Sequence, residues 1–301
     1  MHHPAEAIPA HCCPCCAAAA KALAVTRRFL LTAFMLIVIL GVAVTVHAFN
    51  ESRRTPVIRR DTIALADWPK DAKPITALLV SDIHIGNSSM DQGRLGRIVD
   101  QIDALHPDII LIAGDFIYGE DPHGAEKASA ALKAELSRLR APLGTIATLG
   151  NHDIWTGRAI LVSTLEQAGI TVLQNQAVQR GPLAIGGIGD VYTRQDKVPE
   201  TYSWLDQLKG ARVVVTHSPA IMWKLPAYAG LVLTGHTHCG QINLPFATTI
   251  TPIGHIPYWC GLFREPTRTV VVTAGVGTSN VPLRLRSPPD MWLLTVGPKK
   301  G

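Results

Sequence analysis

Five short apolar runs in this chain each stop on a side chain able to hold a metal ion or a proton. ITALLVS leads into Asp82-Ile83-His84, DIILIA into Gly114-Asp115, and TIATL into Gly150-Asn151-His152-Asp153. Further on, RVVVT leads into His217, and LVLT into Gly235-His236-Thr237-His238. Short apolar runs bounded by Gly or polar groups read as buried strands. Amphipathic helical patterns at 94–105, 125–140 and 158–168 separate strands expected at 75–81, 108–113, 145–149 and 171–173, which is a βαβ rhythm. The second half is richer in strands, at 183–187, 212–216, 231–234, 269–274 and 291–296, with helices at 201–208 and 218–225. The expected fold is α/β, a four-layer α/β/β/α sandwich of two mixed β-sheets.

With 301 residues, 47% of them apolar and 17% charged, the chain can bury a sizeable core. Its formal charge of +5 is concentrated at one end: residues 1–60 hold seven of the 28 Lys and Arg and two of the 23 acids. That leaves 21 of each in 61–301, so the charge gives no reason to expect a nucleic-acid partner. The basic residues flank the uncharged segment 29–49, FLLTAFMLIVILGVAVTVHAF. At about 1.5 Å per residue this just crosses a hydrocarbon core of about 30 Å. It reads as a single-pass anchor in the inner, or cytoplasmic, membrane. The competing readings are a signal peptide cleaved near 46–48 and a twin-arginine export signal at Arg27-Arg28. Three basic residues precede the span and four follow it, so the positive-inside bias leaves the side of the following domain open. The expected organisation is a disordered Cys-rich tail over 1–28, carrying Cys12, Cys13, Cys15 and Cys16, the span at 29–49, a linker at 50–73 and one domain at 74–301. Cys239 and Cys260 are too few to define a disulfide framework.

Taken singly, each polar strand end has an ordinary explanation: an Asp two residues before a His caps a helix, Gly-Asp makes a turn, and a His after VVVT is a buried imidazole. Five such ends converge on one edge if the strands are neighbours, because ligand sites in α/β folds collect at the carboxyl ends of strands. Side chains two apart on an extended segment share a face, which would pair Asp82 with His84 and His236 with His238. The mixture of carboxylate, imidazole and carboxamide suits Mn, Fe, Zn or Co, and the lack of thiolates argues against a structural zinc site.

In this order D-x-H, GD, GNHD, H and GHTH resemble the calcineurin-like metallophosphoesterases, over 75–296. TGHTHCGQ, Gly261-Leu262-Phe263 and AGVGTSNVPLRLRSPPD resemble the branch called transmembrane protein with metallophosphoesterase domain. The resemblance implies the metallo-dependent phosphatase fold, two divalent metal ions, and hydrolysis of a phosphodiester or diphosphate bond by a metal-bridging hydroxide. It assigns Asp82, His84 and His238 to one ion and Asn151, His217 and His236 to the other, with Asp115 bridging. His152 matches the family histidine that stabilises the transition state and protonates the leaving oxygen.

Part of that branch is assigned UDP-2,3-diacylglucosamine hydrolysis on the route to lipid A, so the resemblance implies a lipid-linked phosphoester substrate. A soluble nucleotide phosphodiesterase and a non-catalytic scaffold are the alternatives. Arg284 and Arg286 are candidate contacts to a second phosphate, and the run 253–263, with Tyr258 and Trp259, is a candidate lid or acyl-facing wall. Two positions depart from the family pattern. Tyr118 stands where many relatives place an Asp to orient the histidine, and Cys239 stands where the branch has Gly, as a packing substitution or an oxidisable thiol. Nothing in the residues speaks to oligomeric state.

Overall fold

The computed structural model describes residues 14–244 and 257–299, which fall into two compact units, Met1–His47 and Ala48–Gly301. Helix α1 (Pro14–Arg53) makes up the described part of the first, and its last residues from Ala48 onward belong to the second. Its stretch Lys21–Arg53, with a mean hydropathy of 2.8, is long and apolar enough to cross a membrane. The helix outruns 29–49 at both ends. Residues 17–24, AAAAKALA, are strong helix formers, and helix stops only before Thr55-Pro56, since a residue preceding proline is driven out of the α region. Residues 14–28 are therefore helical rather than a disordered tail, whereas Cys12, Cys13 and residues 253–256 lie outside the described residues.

The second unit runs β1 (Val57–Leu65), β2 (Ile75–Val80), α2 (Gln92–Asp103), β3 (Ile109–Ala113), α3 (Gly124–Leu136), β4 (Thr145–Thr148), α4 (Asn151–Trp155), α5 (Arg158–Gln167) and β5 (Ile170–Val172). It continues with β6 (Gln176–Arg180), β7 (Leu183–Gly187), α6 (Val198–Leu205), β8 (Ala211–Val215), β9 (Gly230–Thr234), β10 (Gly261–Arg264), β11 (Arg268–Val272) and β12 (Asp290–Pro298). Residues 218–225, expected as a helix, hold one short 3-10 turn, Pro219–Trp223. The strands form two six-stranded mixed sheets, ordered β1-β12-β2-β3-β4-β5 and β10-β11-β9-β8-β7-β6.

Side-chain alternation along the strands generates the layers. On the first sheet Leu78, Val80, Ile110 and Ile112 face Leu95 and Ile98 of α2, Leu132 of α3 and Leu165 of α5. Ala77, Leu79, Ile109 and Leu111 point the other way, into a core shared with Val213, Val215, Leu231 and Leu233 of the second sheet. The reverse face of that sheet, with Ala184, Val214, Val232 and Val270, packs on Val198, Tyr202 and Leu205 of α6. The result is the expected α/β/β/α sandwich. Burial on both faces is why these strands read as unbroken apolar runs, each fully buried Leu or Val contributing about 1.5–3 kcal/mol.

Residues 50–73 are not a plain linker. Strand β1 lies parallel to β12, in register from Val57↔Asp290 to Leu65↔Pro298. As an edge strand it buries only Ile63 and Leu65 fully, and Arg59, Arg60 and Asp61 interrupt the apolar pattern. Arg59 forms an ion pair with the buried carboxylate of Asp290.

Candidate metal centre

Strands β2, β3 and β4 of one sheet and β8 and β9 of the other deliver their polar residues to the same edge of the sandwich. The chain does not arrive there extended. Asp82 (φ 53°), His84 (49°), Asp115 (57°), His236 (68°) and His238 (49°) all occupy the left-handed region. Non-glycine residues adopt this region only where surrounding structure enforces it. Two-residue alternation is thus not what joins Asp82 to His84; a reversed backbone is, held by Asp82 N–H donating to Gly114 O (3.0 Å) and His84 N–H to Asp115 O (3.1 Å). Glycine is required where these turns touch. A Cβ on Gly150 would run into the Asp115 carboxylate, and one on Gly235 into Ser81 and Asp82.

The buried side chains fall into two groups that share a wall. In the first, His84 Nε2 lies 3.2 Å from His238 Nε2 and 3.8 Å from Asp82 Oδ1, and His238 Nε2 lies 3.4 Å from Asp82 Oδ1. In the second, His217 Nε2 is 3.1 Å from Asp115 Oδ2 and 3.0 Å from His236 Nδ1. Asp115 Oδ2 also lies 3.5 Å from His84 Nε2, so this carboxylate stands between the groups. Donors bound about 2.0–2.2 Å from one ion sit about 3.0–3.5 Å apart, which is the spacing found in both groups. Asn151 supplies a second test of fit: its Oδ1 is buried beside them without any hydrogen-bond partner, an expensive state for an amide oxygen unless a cation receives it. His84 Nδ1 and His217 Nδ1 donate to Ile117 O (3.2 Å) and Ala113 O (2.7 Å), leaving Nε2 of each free to ligate.

Electrostatics within the site favour a cation. Burial raises the Asp82 carboxyl to about 6 and lowers His84 and His236 to about 3. His238 is likewise pushed well below its ordinary value, by burial first and then by the positive neighbours His84 and Arg284. At His217 burial also acts downward, but the charge and hydrogen bond of Asp115 outweigh it and raise the imidazole well above its ordinary value. Asp115 is correspondingly held well below the usual carboxylate range. Three imidazoles are therefore neutral near pH 7, and a proton on His217 neutralises Asp115, the role a divalent ion would take over.

The model of the calcineurin-like phosphoesterase family matches residues 75–240, from β2 through the 3-10 turn that carries His238. The chain belongs to the calcineurin-like phosphoesterase family. It is thus a hydrolase, from a family that binds divalent metals. A Helicobacter pylori uncharacterized metallophosphoesterase is 29% identical over 260 residues, covering 84% of this chain and 67% of the relative. A Danio rerio transmembrane protein with metallophosphoesterase domain is 28% identical over 273 residues, covering 84% of this chain and 60% of its own length. The Escherichia coli phosphodiesterase YaeI is 30% identical over 244 residues, covering 76% and 85%.

In this phosphoesterase His152 opens onto a cleft of about 200 Å³ beside the two groups, together with Ser279 and Asn280. Its backbone N–H donates to Asp115 Oδ1 (3.0 Å), and its Nδ1–H to Gly119 O (2.6 Å). That carbonyl holds the ring where many relatives use the Asp that Tyr118 replaces, and it leaves Nε2 facing the cleft, 3.4 Å from Ser279 Oγ. Tyr118 points elsewhere, donating its hydroxyl to Asn280 O (2.6 Å).

Three features were not legible as functional in the sequence. Asp153, last of GNHD, accepts backbone N–H bonds from Gly150, Asp115, Phe116 and Ile117 at 2.8–3.3 Å, so it shapes the turn that presents Asp115. An acid three residues after a helix N-cap was the available signal. Arg284, expected at a substrate phosphate, is instead fully buried and donates to the carbonyls of Ala274, Gly275, Gly277 and Ser287, with Nη2 3.3 Å from His238 Nδ1. Arg286 is exposed, and neither arginine lines the cleft. Cys239, next to His238, is no free thiol: it forms a disulfide with Cys260.

Proposed function

We propose that this chain is a two-metal phosphodiester or diphosphate hydrolase anchored to a membrane by α1, and that its substrate is a lipid-linked phosphoester such as UDP-2,3-diacylglucosamine. The observation that carries the hydrolytic reading is the buried, unpartnered Asn151 Oδ1 beside two His/Asp groups joined by Asp115. Asp82, His84 and His238 hold one divalent ion of the Mn, Fe, Zn or Co type, Asn151, His217 and His236 the other, and Asp115 touches both. Such a pair supplies Lewis-acid stabilisation of the phosphoryl oxygens and activation of water. His152, oriented through Gly119 O, places its Nε2 where it hydrogen-bonds a phosphoryl oxygen and gives a proton to the leaving oxygen.

Two observations support a membrane-borne substrate in an oxidising compartment. Ala48 O, at the end of the apolar stretch, accepts from Arg284 N–H (2.9 Å), and Ser52 Oγ donates to Pro282 O (2.9 Å), so the chain passes from that stretch directly onto the loop bearing Ser279 and Asn280. The Cys239–Cys260 disulfide fits a domain outside the reducing cytosol. The test is Mn-dependent turnover of bis(p-nitrophenyl) phosphate and of UDP-2,3-diacylglucosamine by the full chain in detergent, beside Asp115→Ala and His152→Ala. We expect both substrates to turn over, Asp115→Ala to abolish activity, and His152→Ala to cost about 10²–10⁴-fold while retaining Mn. Turnover of the soluble diester alone would remove the lipid assignment; a folded protein that binds no divalent ion would remove the enzyme mechanism.

A further inference from the structure

Around the mouth of the cleft the wall is aromatic. Trp155, the last residue of α4, lies 5.2 Å from His152 and 6.2 Å from Tyr192, centroid to centroid, in edge-on geometry. Tyr192 in turn lies 5.5 Å from the His236 ring. Four rings thus run from the proposed proton donor to a proposed metal ligand. Tyr192 remains 64% exposed in this position. It is not the tip of a loose loop: Asp190 Oδ2 accepts from Thr193 N–H (2.7 Å), and Asn175 Oδ1 from Gly189 N–H (3.0 Å) and Lys197 N–H (2.8 Å). Asn175 also donates through Nδ2 to Gln195 O (2.9 Å). A tethered ring held in water beside a polar cleft offers a stacking face that no part of the described chain covers.

The polar groups on the same cleft narrow the ligand class. Glu120 lines it with no ion-pair partner among the described residues, and the Asn280 carboxamide has no hydrogen-bond partner among them. A free carboxylate disfavours an extra phosphate but accepts N–H and O–H donors, and a carboxamide can both donate and accept. An acyl chain would satisfy neither group, whereas a planar ring with polar edges satisfies both and stacks on the aromatic pair.

We infer that Trp155 and Tyr192 form the platform for a heteroaromatic ring carried by the substrate, that is, for the base of a nucleoside phosphoester, with Glu120 and Asn280 meeting its polar edge or its sugar. The inference rests on the phosphoesterase reading of the same site. It is tested on the Mn-loaded full chain with two diesters that share a leaving group, thymidine 5′-p-nitrophenyl phosphate and methyl p-nitrophenyl phosphate. In Tyr192→Leu and Trp155→Leu the ratio of kcat/KM, thymidine over methyl, is expected to fall roughly tenfold or more, chiefly through KM, with Tyr192→Phe restoring most of it. A ratio unchanged in both leucine variants overturns the platform, including the case in which both substrates decline together. Equilibrium dialysis of thymidine 5′-monophosphate separates the two claims. If neither diester turns over with any divalent ion, the catalytic reading fails, and nucleotide binding weakened roughly tenfold by Tyr192→Leu still supports the platform, while binding indifferent to that change overturns it.

Discussion

Asp82 and His217 are the residues whose protons compete most directly with a metal ion, and they do so over different pH ranges. The Asp82 carboxyl, raised by burial to about 6, is ionised in the metal-free protein only above that pH. His217, raised well above its ordinary value despite burial, still carries a proton at neutral pH. Metal binding therefore displaces about one proton above pH 6 and about two below it. Mn titrations between pH 5 and 8 should show log affinity rising with pH at a slope near one, steepening to near two below pH 6; an affinity independent of pH would mean that His217 is neutral without metal. Asp153 acts one step further out. With both carboxylate oxygens accepting backbone N–H groups, Asp153→Asn would set an amide NH2 against at least one of those donors. We expect Mn affinity to fall about 10–100-fold, as for other residues that orient ligands, with unchanged affinity showing that the Asp115 turn holds itself.

At the scale of elements, the strands the sequence concealed are β1, β6 and β10, and all three are edge strands. An edge strand has one partner and a wetter face, so charges such as Arg59, Arg60 and Asp61, or Gln176 and Arg180, break the apolar run by which β3 or β8 announces itself. The candidate ligands were legible for the opposite reason: each follows an inner strand within a few residues, so finding the strand finds its polar end. Asp153, the carbonyl cage of Arg284 and the disulfide depend on partners distant in sequence, and no local pattern announces them. That disulfide joins the His238 turn to the residue before β10 across a sequence separation of 21. Closing a loop of this size stabilises by about 3 kcal/mol in the chain-entropy view. Replacing both cysteines by serine should lower the melting temperature by several degrees and weaken Mn binding, read by thermal melts with and without metal; equal melts would show that the turn is fixed by Ser287 and Arg284 alone.

For the whole molecule, a long apolar helix and a disulfide-bearing domain belong to the same chain, and together they predict a topology. Alkylating intact cells with N-ethylmaleimide at lysis should leave Cys239 and Cys260 unmodified until a reductant is added, whereas immediate labelling would put the domain in a reducing compartment.

Strand order adds a constraint on how such a molecule is made. β1 and β2 are consecutive in the chain yet do not touch, because β12 is inserted between them, parallel to one and antiparallel to the other. During synthesis the first sheet stays split until residues 290–298 have emerged, and Arg284, which braces His238, appears only shortly before them. Ions cannot be loaded one strand at a time as the chain grows. A ribosome stalled before β12 would leave an anchored chain with two unpaired strand edges and an unfinished cation site, a natural substrate for membrane quality-control proteases.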